Sequence, residues 1–374
     1  MKTAILSCFP PYRGGISQFN TSLYGELSKQ HEVRAFNFKR QYPEFLFPGK
    51  TQYIAEDDPN RDFPDTTRLL DTANPFTYRR TAKAIADWGA DLLLMRYWMP
   101  YFAPSLGYVA RHVGKNCKVI SILDNVIPHE KHFFDIPLTR WFLNGNDAFV
   151  VLCHAVGKDL ERLKPQARYL VSQHPVYSNF GEKLERNASA SALGLDPTKK
   201  TLLFFGLIRE YKGLDLLIEA FAHLDDSYQL LIAGEAYGSF DKYDALIRNN
   251  PNQARIHVFN RFIKDEEVNR YFCASDLCVL PYRSATQSGI SAIAYHFDLP
   301  MVTTAVGGLK EMIGDTGTGL LTESISPEAV QKAITAYFAD PEQKSRLVAN
   351  IQAEKKRLSW ETFAANLTEF YHTL

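Results

Sequence analysis

Two short stretches of this chain put cations and unbonded backbone amides where an anion could settle. In Phe204-Phe205-Gly206-Leu207-Ile208-Arg209-Glu210-Tyr211-Lys212-Gly213-Leu214, a glycine closes an apolar run, and a polar turn presents Arg209 and Lys212 just ahead of a helical pattern. A guanidinium offers a planar fork to phosphate oxygens and an ammonium offers a mobile point charge, so the pair suits a phosphate ligand. In Pro281-Tyr282-Arg283-Ser284-Ala285-Thr286-Gln287-Ser288-Gly289-Ile290-Ser291, a second apolar run ends in small and polar residues before a helix that starts near Gly289. Small residues there let a ligand approach the first-turn N–H groups, whose dipole favours a diphosphate. A third run, Pro300 to Thr304, leads into the turn Val306-Gly307-Gly308-Leu309-Lys310-Glu311. Each stretch by itself reads as readily as solvated decoration or a plainly capped helix.

Such turns need strands beneath them, and the chain supplies two series. Residues 2–9 are apolar; Pro10-Pro11-Tyr12-Arg13-Gly14-Gly15 cannot continue them; Ile16, Phe19, Leu23 and Leu27 then recur at helical spacing before Val33-Arg34-Ala35-Phe36. Further runs at 92–95, 118–123 and 148–152 alternate with helical patterns such as 78–88, the rhythm of a parallel sheet covered on both faces. A polar stretch from His174-Pro175 to Pro197, with a weak linker at 183–191, separates a second series. Its strands are expected at 201–206, 229–233, 255–259, 277–280 and 301–304, with helices including 214–221 and 266–272. The spacing predicts an α/β chain of two doubly wound, Rossmann-like domains, with the carboxyl ends of both sheets facing a cleft. Helices are expected at 328–337 and 361–371.

Composition narrows the function classes. The 374 residues are 45% hydrophobic and 22% charged, with no apolar run of membrane-spanning length and no secretory leader pattern at the N-terminus, so a cytoplasmic location is expected. Five scattered cysteines, with no CxxC pair, indicate neither a disulfide framework nor a zinc site. Net charge is zero, but residues 1–172 carry 22 Lys and Arg against 17 Asp and Glu, while the remainder carries 20 against 25. That asymmetry falls short of a nucleic-acid binder's basic stripe, yet it leaves open an anionic acceptor or a peripheral contact with the inner membrane face. Arg96, Tyr97, Trp98, Tyr101 and Phe102 read either as such a surface or as ordinary core.

Taken together, the Pro10 to Ile16 turn, Asn125-Val126-Ile127-Pro128-His129-Glu130, the Gly206 to Leu217 segment, Leu231-Ile232-Ala233-Gly234-Glu235 and Val306 to Glu311 resemble the retaining, two-Rossmann-domain (GT-B) glycosyltransferases of the group 1 or family 4 type. The resemblance implies an acceptor domain over 1–172, a nucleotide-sugar domain over 173–355, and a last helix, 356–374, returning to the first domain. It implies transfer of a sugar from a nucleotide-diphosphate sugar to a hydroxyl acceptor, saccharide or lipid-linked, with no cofactor beyond the donor and no divalent metal. Lys212 and Arg209 would hold the donor diphosphate, joined by the helix start at Ser288, Gly289 and Ile290. Gly14 and Gly15 would line the cleft, and Glu235 would lie at the nucleotide side. The family's paired glutamates, E-x7-E, are replaced by Ala285 and Ile293, leaving Gln287, Ser288 and Ser291 as the polar groups of that loop. Asp124 stands where the family has a histidine, and His129 follows five residues later; either would orient the acceptor. A sugar-nucleotide 2-epimerase and a non-catalytic nucleotide-sugar-binding protein remain as alternatives.

Overall fold

A computed structural model describes residues 1–43, 51–54, 63, 66–127, 133–176, 180–285 and 288–374. The chain forms two units, Met1–Gln173 with Trp360–Leu374, and His174–Ser359.

The first unit runs β1 (Lys2–Leu6), α1 (Gly15–Leu27), β2 (Glu32–Arg40), β3 (Thr66–Asp71), α2 (Pro75–Trp88), β4 (Leu92–Tyr97), α3 (Ala103–His112), β5 (Lys118–Leu123), α4 (Asp135–Leu143), β6 (Ala148–Val151), α5 (His154–Leu163) and β7 (Tyr169–Val171). Its seven strands pair in the order β3-β2-β1-β4-β5-β6-β7, all parallel. Strand β4 is buried on both faces, which is why Leu92-Leu93-Leu94-Met95 reads as an unbroken apolar run.

The second unit runs α6 (Arg186–Ala192), β8 (Lys200–Phe205), α7 (Leu214–Phe221), β9 (Tyr228–Ala233), α8 (Asp241–Arg248), β10 (Ile256–Phe259), α9 (Asp265–Cys273), β11 (Leu277–Leu280), α10 (Gly289–His296), β12 (Met301–Thr304), β13 (Gly319–Thr322), α11 (Pro327–Ala339) and α12 (Gln343–Arg357). The six strands pair in parallel as β10-β9-β8-β11-β12-β13. In each unit the order reverses beside the first strand, between β1 and β4 and between β8 and β11, the point where open α/β sheets take their ligands.

Two doubly wound parallel sheets are what the alternating apolar runs predict. The weak linker expected at 183–191 is instead largely α6. Glu185 caps it by accepting from the N–H groups of Asn187 and Ala188, and Arg186 pairs with Asp276 at 2.5 Å. Its Ala and Ser residues give no apolar stripe; the cap and that ion pair fix its start, while the small residues Ser189 and Ala190 are buried where it packs against α9.

The last helix, α13 (Trp360–His372), belongs to the first unit. Trp360 and Phe363 meet the Phe19 ring edge-on, with centroids 4.9 and 5.6 Å away. Over the same ring, 3.9 Å from its centroid, lies the buried guanidinium of Arg96. Phe19 thus joins α1, β4 and α13 through aromatic and cation–π contacts. Trp360→Ala is expected to lower the stability of the first unit by about 3–5 kcal/mol, as for other buried large-to-small changes. Urea denaturation followed by α-helical circular dichroism checks this, and a loss below about 1 kcal/mol would show that the ring does not anchor α13.

A candidate diphosphate site in the second unit

The turn between β8 and α7 is held in place before any ligand arrives. Pairing with the β9 exit continues past the strands: the Gly206 N–H donates to the Ala233 carbonyl at 2.9 Å, the Ile208 N–H to the Glu235 carbonyl at 2.9 Å, and the Tyr237 N–H to the Ile208 carbonyl at 2.9 Å. The turn then closes through a single 3-10 turn, Glu210–Lys212, and Gly213 at φ 67°. A Cβ on Gly213 would sit 2.0 Å from the Pro281 carbonyl oxygen, so only glycine lets this turn lie against the exit of β11.

Lys212 is the outlier in this arrangement. Its side chain is folded back beneath the turn and the residue is 9% exposed; the ammonium lies 3.4 Å from where a Gly206 Cβ would be, and the Ile290 side chain flanks the same point. The Tyr282 ring lies 5.7 Å from Nζ. No hydrogen-bond acceptor or carboxylate serves it among the described residues. Burial first, and repulsion from Arg209 second, push its pKa down to about 8. Arg209 itself lies over the Tyr237 ring at 3.8 Å. The structure therefore brings Lys212 and Arg209 together, with one cation buried and the other on an aromatic face at the rim.

The β11–α10 loop completes the surroundings. Ser288 sits at the start of α10, its hydroxyl 3.4 Å from that of Tyr282. Gly289 and Ile290 form the first turn, and Ile290 is the residue that reaches Gly206. Ser291 points inward: its hydroxyl donates to the Ser288 carbonyl at 2.5 Å and lies 2.7 Å from the Met312 sulfur, leaving it no role on the open side. Gln287 lies outside the described residues. Ala285 and Ile293, at the places of the expected glutamates, are both buried. Glu235 lies two residues past the end of β9, buried, with its carbonyl accepting from the Ile208 N–H.

One feature of the site escapes a linear reading. Arg283, in the same loop, donates through its N–H to the Tyr211 carbonyl at 2.7 Å and grips Asp215 of α7 in a two-pronged ion pair at 2.8 and 2.9 Å. Lys242 of α8 reaches the same carboxylate at 3.2 Å. Burial works against the ionised form of Asp215, but Arg283 and Lys242 outweigh it and hold the carboxyl below its ordinary range. This clamp ties the Lys212 turn to the loop ahead of α10. Its three residues are far apart in sequence and belong to different elements, so only the presence of a charged residue in each segment hinted at it.

In the first unit, Gly14 has φ 107° and open space where a side chain would stand, and Gly15 starts α1. The loop before them is pinned. Asn37 donates to the Phe9 and Pro10 carbonyls, Tyr12 stacks on Tyr53 at 5.2 Å, and the Ile54 N–H donates to the Pro11 carbonyl at 2.8 Å. Asp124 is buried, and its two oxygens accept from Arg96 Nε and Nη2 at 2.7 and 2.6 Å. His129 lies outside the described residues. Arg96, Tyr97 and Phe102 are buried, so the ordinary-core reading of that aromatic run holds for them. Among the described residues no group of three or more His, Cys, Asp or Glu could hold a metal ion, and no helix is long and apolar enough to cross a membrane.

Residues 185–354 match the family model of the group 1 glycosyl transferases. A D-inositol 3-phosphate glycosyltransferase of Xylanimonas cellulosilytica is 28% identical over 189 residues, covering 50% of this chain and 45% of the relative. The chain spans about half the length of the curated relatives it matches. Among solved structures, sucrose-phosphate synthase from Thermosynechococcus elongatus superposes with TM-score 0.78 at 19% identity, over 100% of this chain and 99% of that one. HepE of Anabaena, solved in complex with UDP, superposes with TM-score 0.77 at 14% identity, over the whole of both chains. The second unit is thus similar to the group 1 glycosyl transferases, and the chain as a whole shares the GT-B fold of these structures.

Proposed function

We propose that this protein is a retaining, metal-independent glycosyltransferase that moves a sugar from a nucleotide-diphosphate sugar to a hydroxyl acceptor in polysaccharide or glycoconjugate synthesis. The observation that carries the reading is the buried Lys212 ammonium, which has no counter-charge among the described residues. Burying a cation alone is costly, and a fold tolerates it where a ligand supplies the missing anion. The donor's diphosphate is such an anion, and the UDP complex of the related HepE structure names a candidate.

In this mechanism the bond from the anomeric carbon to the diphosphate oxygen breaks, and negative charge gathers on the leaving group. Lys212, Arg209 and the first-turn amides of α10 already point charge at that position, so little reorganisation is needed. The acceptor oxygen bonds to the anomeric carbon on the face the diphosphate leaves, and its proton passes to a phosphate oxygen of the leaving group. No side-chain nucleophile takes part, and the two basic residues supply the charge a metal would otherwise bring. The open backbone at Gly14 and Gly15 admits the acceptor, a saccharide or a lipid-linked one, with peripheral membrane contact through the first unit. Asp124, engaged by Arg96, acts as a positioning residue rather than a free base. With Ala285 and Ile293 in place of the glutamates, the sugar and ribose are read by other groups, including Glu235 and backbone amides.

Lys212→Ala is expected to abolish measurable UDP binding in calorimetry and to lower any transfer rate by about 100- to 1000-fold, the usual loss for one such donor. The apo protein should melt no lower, since the variant removes an uncompensated buried charge. Undiminished binding would sink the assignment. A pH dependence follows as well. The folded chain releases the Lys212 proton near pH 8 and the unfolded chain near the ordinary 10.5, so the folded state binds fewer protons between them. The penalty is therefore fully present below pH 8 and eases as pH rises towards 10.5. A bound diphosphate restores the proton, so UDP affinity should hold steady from pH 7 to about 8 and fall above it, with proton uptake visible in buffers of different ionisation enthalpy. A slope that survives in Lys212→Ala would show that another group is responsible.

A further inference from the structure

Helices α2, α3 and α4 lie side by side in the first unit, α3 packing against both of the others. Five large aromatic side chains are prominently exposed among the described residues, and four belong to this layer or its edge: Phe76 at 90%, Phe133 at 94%, Phe134 at 43% and Trp141 at 40%. The same layer is basic. Arg79, Arg80 and Lys83 are exposed on α2, Arg111 on α3 and Arg140 on α4. The acidic residues of these helices are Asp87, paired with Lys83 at 2.7 Å, and Asp135, which is buried. Arg111 lies over the Trp141 ring at 4.2 Å, so α3 and α4 present one cation and one ring together. None of these side chains belongs to the diphosphate site.

We infer that this helical layer docks on an anionic lipid bilayer, with the rings seated among the headgroups and the cations against acidic lipids. Wet rings and exposed cations on one layer, with a single exposed carboxylate among its three helices, carry opposite requirements that a charged membrane surface meets together: apolar area to bury and negative charge to neutralise. A folded protein partner would need a contour matched to rings spread over α2, α4 and the residues just before α4; an interfacial lipid layer needs none. The inference gives a place to the membrane contact proposed above. It leans on the transferase reading only for the lipid-linked acceptor, since vesicle binding and donor binding can fail independently.

The test is co-sedimentation of the full chain with vesicles of phosphatidylcholine alone and of phosphatidylcholine with phosphatidylglycerol. Binding is expected to the mixed vesicles only, weakening with added salt. Arg79→Gln combined with Arg80→Gln should lower it by about 30-fold, at roughly fivefold per charge. Phe133→Ser should lower it by roughly tenfold through lost apolar burial, without a shift in melting temperature, because that ring is almost wholly in water already. UDP binding should be unchanged in both variants. Absence of binding to the acidic vesicles, or binding that ignores both variants, overturns the inference. So does a self-association in analytical ultracentrifugation that the variants break while vesicles go unbound, which would make the layer an interface between copies of the chain.

Discussion

A cation buried without an anion is the constraint around which the second unit is organised. Folding normally keeps ammonium groups in water, pairs them or strips them of their proton. Lys212 has no partner among the described residues, and burial together with the nearby Arg209 guanidinium has drawn its pKa down to about 8. The surrounding structure prevents relaxation. The β8 and β9 exits are laced together by backbone hydrogen bonds, Gly213 lets the turn settle against the Pro281 carbonyl, and Arg283 fastens the next loop to Asp215. With both walls fixed, the ammonium stays where a diphosphate would meet it.

The two units solve the same problem with opposite economies. In the second, no described residue satisfies the buried cation at the sheet's switch point. In the first, the switch-point cation Arg96 is neutralised by Asp124 and covered by Phe19, a combination that stiffens α1, β4, β5 and α13. An ion pair this deeply buried contributes little net stability, but removing one partner leaves the other stranded, so the pair acts as a constraint on geometry.

Much of this was legible in the chain itself, because buried parallel strands write themselves as apolar runs and glycine turns mark their ends. Strands β8, β9 and β11 and the Arg209 to Lys212 turn fall where the pattern places them. Shorter or more polar elements did not show. Thr66–Asp71 has a mixed sequence at the sheet edge, Tyr169–Val171 and Gly319–Thr322 are too brief for a period, and α6 lacks an apolar stripe. Side-chain direction was equally hidden: nothing in Ser288-Gly289-Ile290-Ser291 says that Ser291 turns inward to Ser288 and Met312 while Ile290 reaches Gly206. The Asp215 clamp and the Asp124 pair depend on residues that meet only once the sheets have formed.

The division of the chain carries a consequence for biogenesis. Because Trp360–Leu374 packs with the first 173 residues, the second unit is nested inside the first in chain order. During synthesis the nested unit is whole at residue 359, while Phe19 still waits for Trp360 and Phe363. The earliest-made unit is thus the last to finish. Until α13 emerges, one flank of α1 is an uncovered aromatic surface that a ribosome-associated chaperone could occupy.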